Sequence, residues 1–359
     1  MITTGEARRV AEEWVRGRVG GLPELVGVML GGSARQRAPS APHPESSDVD
    51  VFIWVDARVP SDIEQPRHRY SPTKLLHRGV VLEPSFHDAQ RIADPEAVLG
   101  NPNLAPAFAD PLLLLDPAGR LAAVAAAVTP AVNRRRHVER RLAAAAAAVA
   151  AHGTRPAAPD LPNLKPCWRH AAFVIGVVKA AQLPLVADLR YPTMRRAFAV
   201  AREVLAEAGR VDLADALLRL LGSAALTRAD VAPLQAELAE AYDLAVAARR
   251  TPVVMDWNVS PDARALEHAG IRELVEGGHP REAMFQLLLV RTAVQGILEN
   301  DGGQEALARS RAGYRRLLAA LGIDGDEPFF ARAAALQAFL PELREGCEEI
   351  LARNPRVVE

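Results

Sequence analysis

The chain has 359 residues, 49% of them hydrophobic and 24% charged, with a formal net charge of -1. That length supports more than one hydrophobic core, and the charge balance excludes a global pull toward nucleic acid or a membrane surface, so any basic site must be local. Two cysteines, Cys167 and Cys347, lie far apart with no Cys-x-x-Cys or His/Cys cluster. A disulfide scaffold and a cysteine zinc site are thereby excluded, and with no basic-then-apolar leader the expectation is a cytoplasmic protein.

Residues 6–19 carry Ala7, Val10, Ala11, Trp14, Val15 and Val19 at helical spacing, and Gly20-Gly21-Leu22-Pro23 ends the helix. Leu25 to Leu30 is a short unbroken apolar run, the pattern of a central strand. Gly31-Gly32 follows at once, and Ser33 to Arg37 can begin a helix that Pro39, Pro42 and Pro44 prevent from continuing. From Asp48 to Val55 the chain alternates: Val49, Val51, Ile53 and Val55 share one face of a strand, and Asp48, Asp50, Phe52 and Trp54 share the other.

Residues 56–78 are polar and interrupted by prolines, with a short helix expected near Thr73–His77. Residues 79–87 alternate again, placing Glu83, Ser85 and His87 on one face, and Pro84 marks an edge or distorted position. Asp88 reads as the N-cap of a following helix. Leu112 to Leu115 is one more apolar strand. From Gly119 onward alanine, leucine and arginine dominate, and helices are expected at 119–128, 132–151, 167–181, 192–208, 211–221, 227–249, 261–275, 280–299, 304–321 and 328–352. Breakers include Gly153, Pro184, Gly222 and Gly277-Gly278, and His152 to Pro166 reads as a loop or hinge. The longest apolar stretch is read as Leu142 to Ala151, too short to span a bilayer. The fold class is α+β: an α/β domain over 1–118 and an all-helical domain over 119–359, divisible into lobes near Pro252.

The chemistry concentrates in residues 25–88. Two glycines after a strand let backbone approach an anion closely, and Ser33 adds a hydroxyl. Asp48 and Asp50, two apart on a strand, point the same way. Glu83, on the polar face of a later strand, supplies a third carboxylate. Three carboxylates within ~4 Å of one another repel by roughly 4 kcal/mol per pair at an effective dielectric of about 20, so such a cluster calls for a cation. Hard oxygen ligands suit magnesium, and two such ions can clamp an in-line displacement at phosphorus. The run Arg134-Arg135-Arg136-His137 with Arg140 and Arg141 is read as a solvated helix face.

Gly31-Gly32-Ser33, then Asp48-x-Asp50, then an acid on a later strand resembles the nucleotidyltransferases of the DNA polymerase β superfamily. The plan is most similar to the aminoglycoside nucleotidyltransferase type, and Leu114-Leu115-Asp116-Pro117-Ala118-Gly119-Arg120-Leu121 resembles the end of the catalytic domain in bacterial members. The resemblance implies a polymerase β-like catalytic domain over 1–118 and a helical substrate-binding domain over 119–359. It implies that Asp48, Asp50 and Glu83 bind Mg2+, two ions in all, and carry catalysis. Gly31, Gly32, Ser33, Arg35 and Lys179 would bind the nucleotide. The implied reaction moves a nucleoside monophosphate, AMP from ATP or another NTP, to a hydroxyl of a small molecule, releasing pyrophosphate. The gap from Ser33 to Asp48 is long, and Gln36 stands where related enzymes often have Gly.

The alternatives are a nucleotide-binding regulator or scaffold without turnover, or nucleotidylation of a protein or RNA. A tRNA-end or poly(A) enzyme calls for a more basic helical half, so nucleic acid is not the expected partner, and neither is a membrane. Glu139, Asp160 and Asp188 are carboxylates in the helical half suited to a cationic acceptor.

Overall fold

A computed structural model describes residues 2–60, 68–71, 73–154, 167–253 and 255–359. The coarse class is as expected: one small sheet and mostly helices. The chain divides into two compact units. One comprises Met1–Arg141, Ser260–Ala269 and Val357–Glu359; the other comprises Leu142–Val259 and Gly270–Arg356.

The first unit is built on five strands: β1 (Leu25–Leu30), β2 (Val49–Val55), β3 (Leu75–His77), β4 (Val80–Asp88) and β5 (Leu112–Leu115), in the order β3-β4-β2-β1-β5. β1 runs antiparallel to both β2 and β5, β3 antiparallel to β4, and β2 parallel to β4. Each face buries a separate core. Against one face, α1 (Thr4–Arg18) sets Ala7, Ala11 and Val15 on Val28, Leu30, Val49, Val51, Ile53 and Leu82. Against the other, α3 (Pro95–Leu99), α4 (Leu104–Ala109) and α5 (Arg120–Val128) pack on Met29 and Trp54. Val26 joins Met29 on this face despite the odd spacing, because a bulge between Leu25 and Gly27 resets the alternation.

Two local readings are corrected here. Residues 75–77 form β3 rather than part of a helix: Leu75, Leu76 and His77 pair with Leu82, Val81 and Val80. Leucine favours helix locally, and pairing along an open sheet edge outweighs that preference. The short helices α3 and α4 lie where no helix was expected; their five and six residues are too few for an apolar period to show. Pro84 does fall on an edge, since β3 covers β4 only from Val80 to Leu82. Asp88 does cap the next turn, accepting from the Gln90 N–H at 2.9 Å.

The Pro-rich loop after α2 (Gly32–Gln36) is tied to α1. A helix start leaves backbone N–H groups without partners inside the helix. Thr4 N donates to Ala41 O and Gly5 N to Pro39 O, both at 2.8 Å, while His43 N donates to Ile2 O at 2.9 Å. Pro39 supplies its carbonyl without a backbone donor of its own. Arg8, from the same helix, donates through Nε to Ala34 O (2.8 Å) and through Nη2 to Arg35 O (3.1 Å) and Arg37 O (2.5 Å), closing the carbonyl end of α2.

The basic run is not a solvated face throughout. Arg141 is fully buried and donates to Leu99 O at 3.1 Å and Val132 O at 2.8 Å. Arg140 pairs with Glu96 at 2.9 Å and Arg135 with Glu359 at 2.7 Å. These residues belong to the start of α6 (Arg135–Thr154).

Among the described residues the second unit is helical. It contains α7 (Trp168–Ala187), α8 (Ala197–Glu207), α9 (Val211–Leu221), α10 (Arg228–Ala248), α12 (Pro280–Asp301), α13 (Gln304–Ala320) and α14 (Asp326–Arg353). α7 packs against α8, α12 and α14. It runs on through Pro184, which was expected to stop it, and is a longer apolar element than the unbroken run Leu142–Ala151, though interrupted by Arg169, His170, Lys179 and Gln182. Its length and mean hydropathy of 1.6 suffice to cross a membrane, but 83% of that window is buried among its neighbours, the pattern of a core helix. Of the expected hinge, residues 155–166 lie outside the described residues, Asp160 among them.

Candidate metal centre

The site follows from the parallel register of β2 and β4. Asp50 is directly opposite Glu83, Phe52 opposite Ser85, and Trp54 opposite His87, so these side chains share one face of the sheet. Toward Trp54 that face is sealed. Trp54 is 1% exposed, and the His87 ring lies 4.9 Å from it and 5.2 Å, edge-on, from Phe52. His87 Nε2 is 3.0 Å from Ser85 Oγ, and burial, helped by Arg91, pushes its pKa down to about 4. His87 thus backs the site as a neutral ring.

Toward Asp48 the same face opens and the carboxylates gather. Asp48, Asp50 and Glu83 are all half-buried, and each places a ligand oxygen within 4.8 Å of the others. At that separation each pair repels by roughly 3.5 kcal/mol at an effective dielectric of about 20. Burial first, then Asp48 and Asp50, hold the Glu83 carboxyl well above the usual carboxylate range, against the opposing pull of Lys74.

Two further residues belong to this cluster, and the sequence did not single them out. Lys74, just before β3, places Nζ 3.3 Å from Asp48 Oδ2, 3.3 Å from Glu83 Oε2 and 2.8 Å from Glu267 Oε1. Its side chain is 8% exposed, and that of Glu267 is 6% exposed. Burial alone lowers an ammonium pKa; here Glu267, Glu83 and Asp48 outweigh it and hold the Lys74 pKa well above its ordinary value. Glu267 lies on α11 (Pro261–Glu276), in the segment Ser260–Ala269 that belongs to the first unit. From the same helix Asp262 Oδ2 accepts the Leu76 N–H at 3.1 Å, so α11 holds both the strand that follows Lys74 and the lysine itself.

The glycine turn is built against the acids. Gly31 N donates to Asp50 O at 3.0 Å. Gly32 has φ +53°, and a Cβ there would lie 1.6 Å from Asp50 Oδ2. Only glycine lets the turn lie against that carboxylate. Ser33 Oγ is 3.3 Å from Ser47 Oγ, joining the turn to the residue before Asp48. Arg35 is turned elsewhere and donates to Asp110 O at 2.7 Å. Lys179 is half-buried on α7 in the second unit.

The donor set fits a hard divalent cation: three carboxylates converge, and one ammonium already lies among them. No family model matches the chain, and no curated protein matches it. Among solved structures it is similar to a nucleotidyltransferase-like protein from Exiguobacterium sibiricum 255-15. That likeness covers 75% of this chain and 77% of the other, at 9% identity and a TM-score of 0.28, so remote that the site's own chemistry must carry the functional reading.

Proposed function

We propose that the protein is a Mg2+-dependent nucleotidyltransferase that moves a nucleoside monophosphate from an NTP, ATP in the first instance, to a hydroxyl of a small molecule. The observation that carries this reading is the convergence of Asp48, Asp50 and Glu83 beside the Gly31-Gly32-Ser33 turn. Asp48, Asp50 and Glu83 would hold the metal, which supplies charge neutralisation at the triphosphate and lowers the cost of forming an alkoxide. Gly32 and Ser33 offer the backbone N–H groups and the hydroxyl that take phosphate oxygens. Asp50, wedged between Gly32 and β4, is fixed in direction before any ligand arrives, so the reaction meets oriented charge rather than a mobile side chain. Glu83, or a carboxylate near it, would take the proton from the acceptor hydroxyl.

The test is pyrophosphate release and transfer of α-labelled phosphate with Mg2+, each of the four NTPs and a library of hydroxyl-bearing acceptors including amino sugars. Asp50→Asn should lower transfer by several orders of magnitude. Transfer equal in the variant and the wild type overturns the assignment.

A further inference from the structure

The acid cluster already contains a cation of the chain's own. Asp48, Glu83 and Glu267 all face the Lys74 ammonium, and the two contacts at 3.3 Å lie on prospective metal ligands while the shortest, 2.8 Å, lies on Glu267. Glu267 is not among the carboxylates that converge to ligand distance of one another. One group can therefore take the lysine when the other two are needed for a metal. We propose that Lys74 is a tethered counter-ion of the metal site, which an entering divalent cation displaces from Asp48 and Glu83, and that Glu267 is the positioning residue that receives it.

The physical reason is charge. Four carboxylates crowd this region, and a buried carboxylate cluster without a cation is strongly unfavourable. Lys74 neutralises part of that charge in the metal-free protein. A divalent ion at the same oxygens repels the ammonium, and a monovalent group on a flexible four-carbon stem yields to it. The ammonium does not have to be expelled to solvent, because it moves only onto the partner it already touches. Asp262, bonded to Leu76 N, keeps β3 in place while the lysine side chain shifts.

This inference rests on the reading of Asp48, Asp50 and Glu83 as metal ligands. Mn2+ binding is followed by the loss of its free-ion EPR signal, without nucleotide, in wild type, Asp50→Asn, Lys74→Met, Glu267→Gln and the Lys74→Met/Glu267→Gln double variant. Thermal unfolding is recorded in EDTA and in Mn2+. Lys74→Met should bind Mn2+ at least tenfold more tightly than wild type, melt lower in EDTA, and recover its stability in Mn2+. Glu267→Gln should bind Mn2+ more weakly, because the lysine settles on Asp48 and Glu83. Removing Lys74 should then tighten binding more in the Glu267→Gln background than in the wild type.

If the wild type binds Mn2+, Asp50→Asn does not, and Lys74→Met binds no more tightly, the displacement idea falls and the metal-site reading stands. Equal effects of Lys74→Met in both backgrounds remove Glu267 from the proposal. Should Lys74→Met be unfolded even in Mn2+, Glu267→Gln decides alone, and an affinity equal to wild type overturns the proposal. Absence of Mn2+ binding in every protein overturns the metal-site reading and this inference together.

Discussion

Gly32→Ala separates backbone strain from damage to the acid site. Gly32 sits at φ +53°, where a residue with a Cβ pays about 1–2 kcal/mol. The new methyl would also lie 1.6 Å from Asp50 Oδ2, far inside van der Waals contact. The turn cannot retreat easily, because Gly31 N is bonded to Asp50 O and Arg8 holds the carbonyls of α2. The carboxylate must swing away by an ångström or more, whereas metal–ligand distances tolerate about 0.2 Å. Disturbing groups that merely orient a ligand costs about 10–100-fold in metal affinity, so displacing a ligand should cost at least that much. Gly79→Ala is the control: its φ of +79° imposes the same backbone cost, and nothing lies within 4 Å of the new methyl. Urea unfolding should show Gly79→Ala destabilised by about 1–2 kcal/mol and Gly32→Ala by at least as much, while Mn2+ titration should show affinity lost only in Gly32→Ala. A Gly32→Ala protein that binds Mn2+ within threefold of wild type refutes the argument, and so does an equal loss in Gly79→Ala.

Two further outcomes concern stability. His87 and His170 are both pushed down to about 4, chiefly by burial, whereas an unfolded histidine titrates near 6.5. Between those values the unfolded chain binds more protons than the folded one, so stability is fully present above pH ~6.5 and falls as pH drops toward 4. Ring 15N shifts should show both neutral at pH 5.5; a protonated ring at that pH contradicts the buried environment. Arg141→Met should cost about 2–4 kcal/mol in urea unfolding, because it strands the buried carbonyls of Leu99 and Val132. A loss under 1 kcal/mol would show that those carbonyls find other donors.

The parts of the molecule legible in the sequence are those where local pattern and packing agree. Val49, Val51, Ile53 and Val55 alternate because one face of β2 lies under α1, and that alternation put Asp48 and Asp50 on the opposite face. The second alternation, through Glu83, fixed the third acid; the parallel register that sets it opposite Asp50 has no local signature. Lys74 and Glu267 were invisible for the same reason. They are 193 residues apart, and nothing near either residue encodes the other. The alternation separates the two faces of β2 but does not show that the carboxylate face is buried at its far end, where Trp54 lies beneath α3 to α5. Arg141 was read as solvated because a run of arginines usually is; the two carbonyls that receive it, at the end of α3 and in the turn at Val132, are brought to it only by the fold.

The first unit is discontinuous, and that has a consequence for its biogenesis. Its sheet and both its cores are encoded before Arg141, but the segment carrying Glu267 and Asp262 is translated much later. At 5–20 residues per second the interval is on the order of 10 s. Throughout it Glu267, the carboxylate that takes the shortest contact to Lys74, has not yet been made. The order of synthesis thus makes the shortest ion pair of Lys74 one of the late contacts of the first unit, closed long after the sheet that carries the acids has been made.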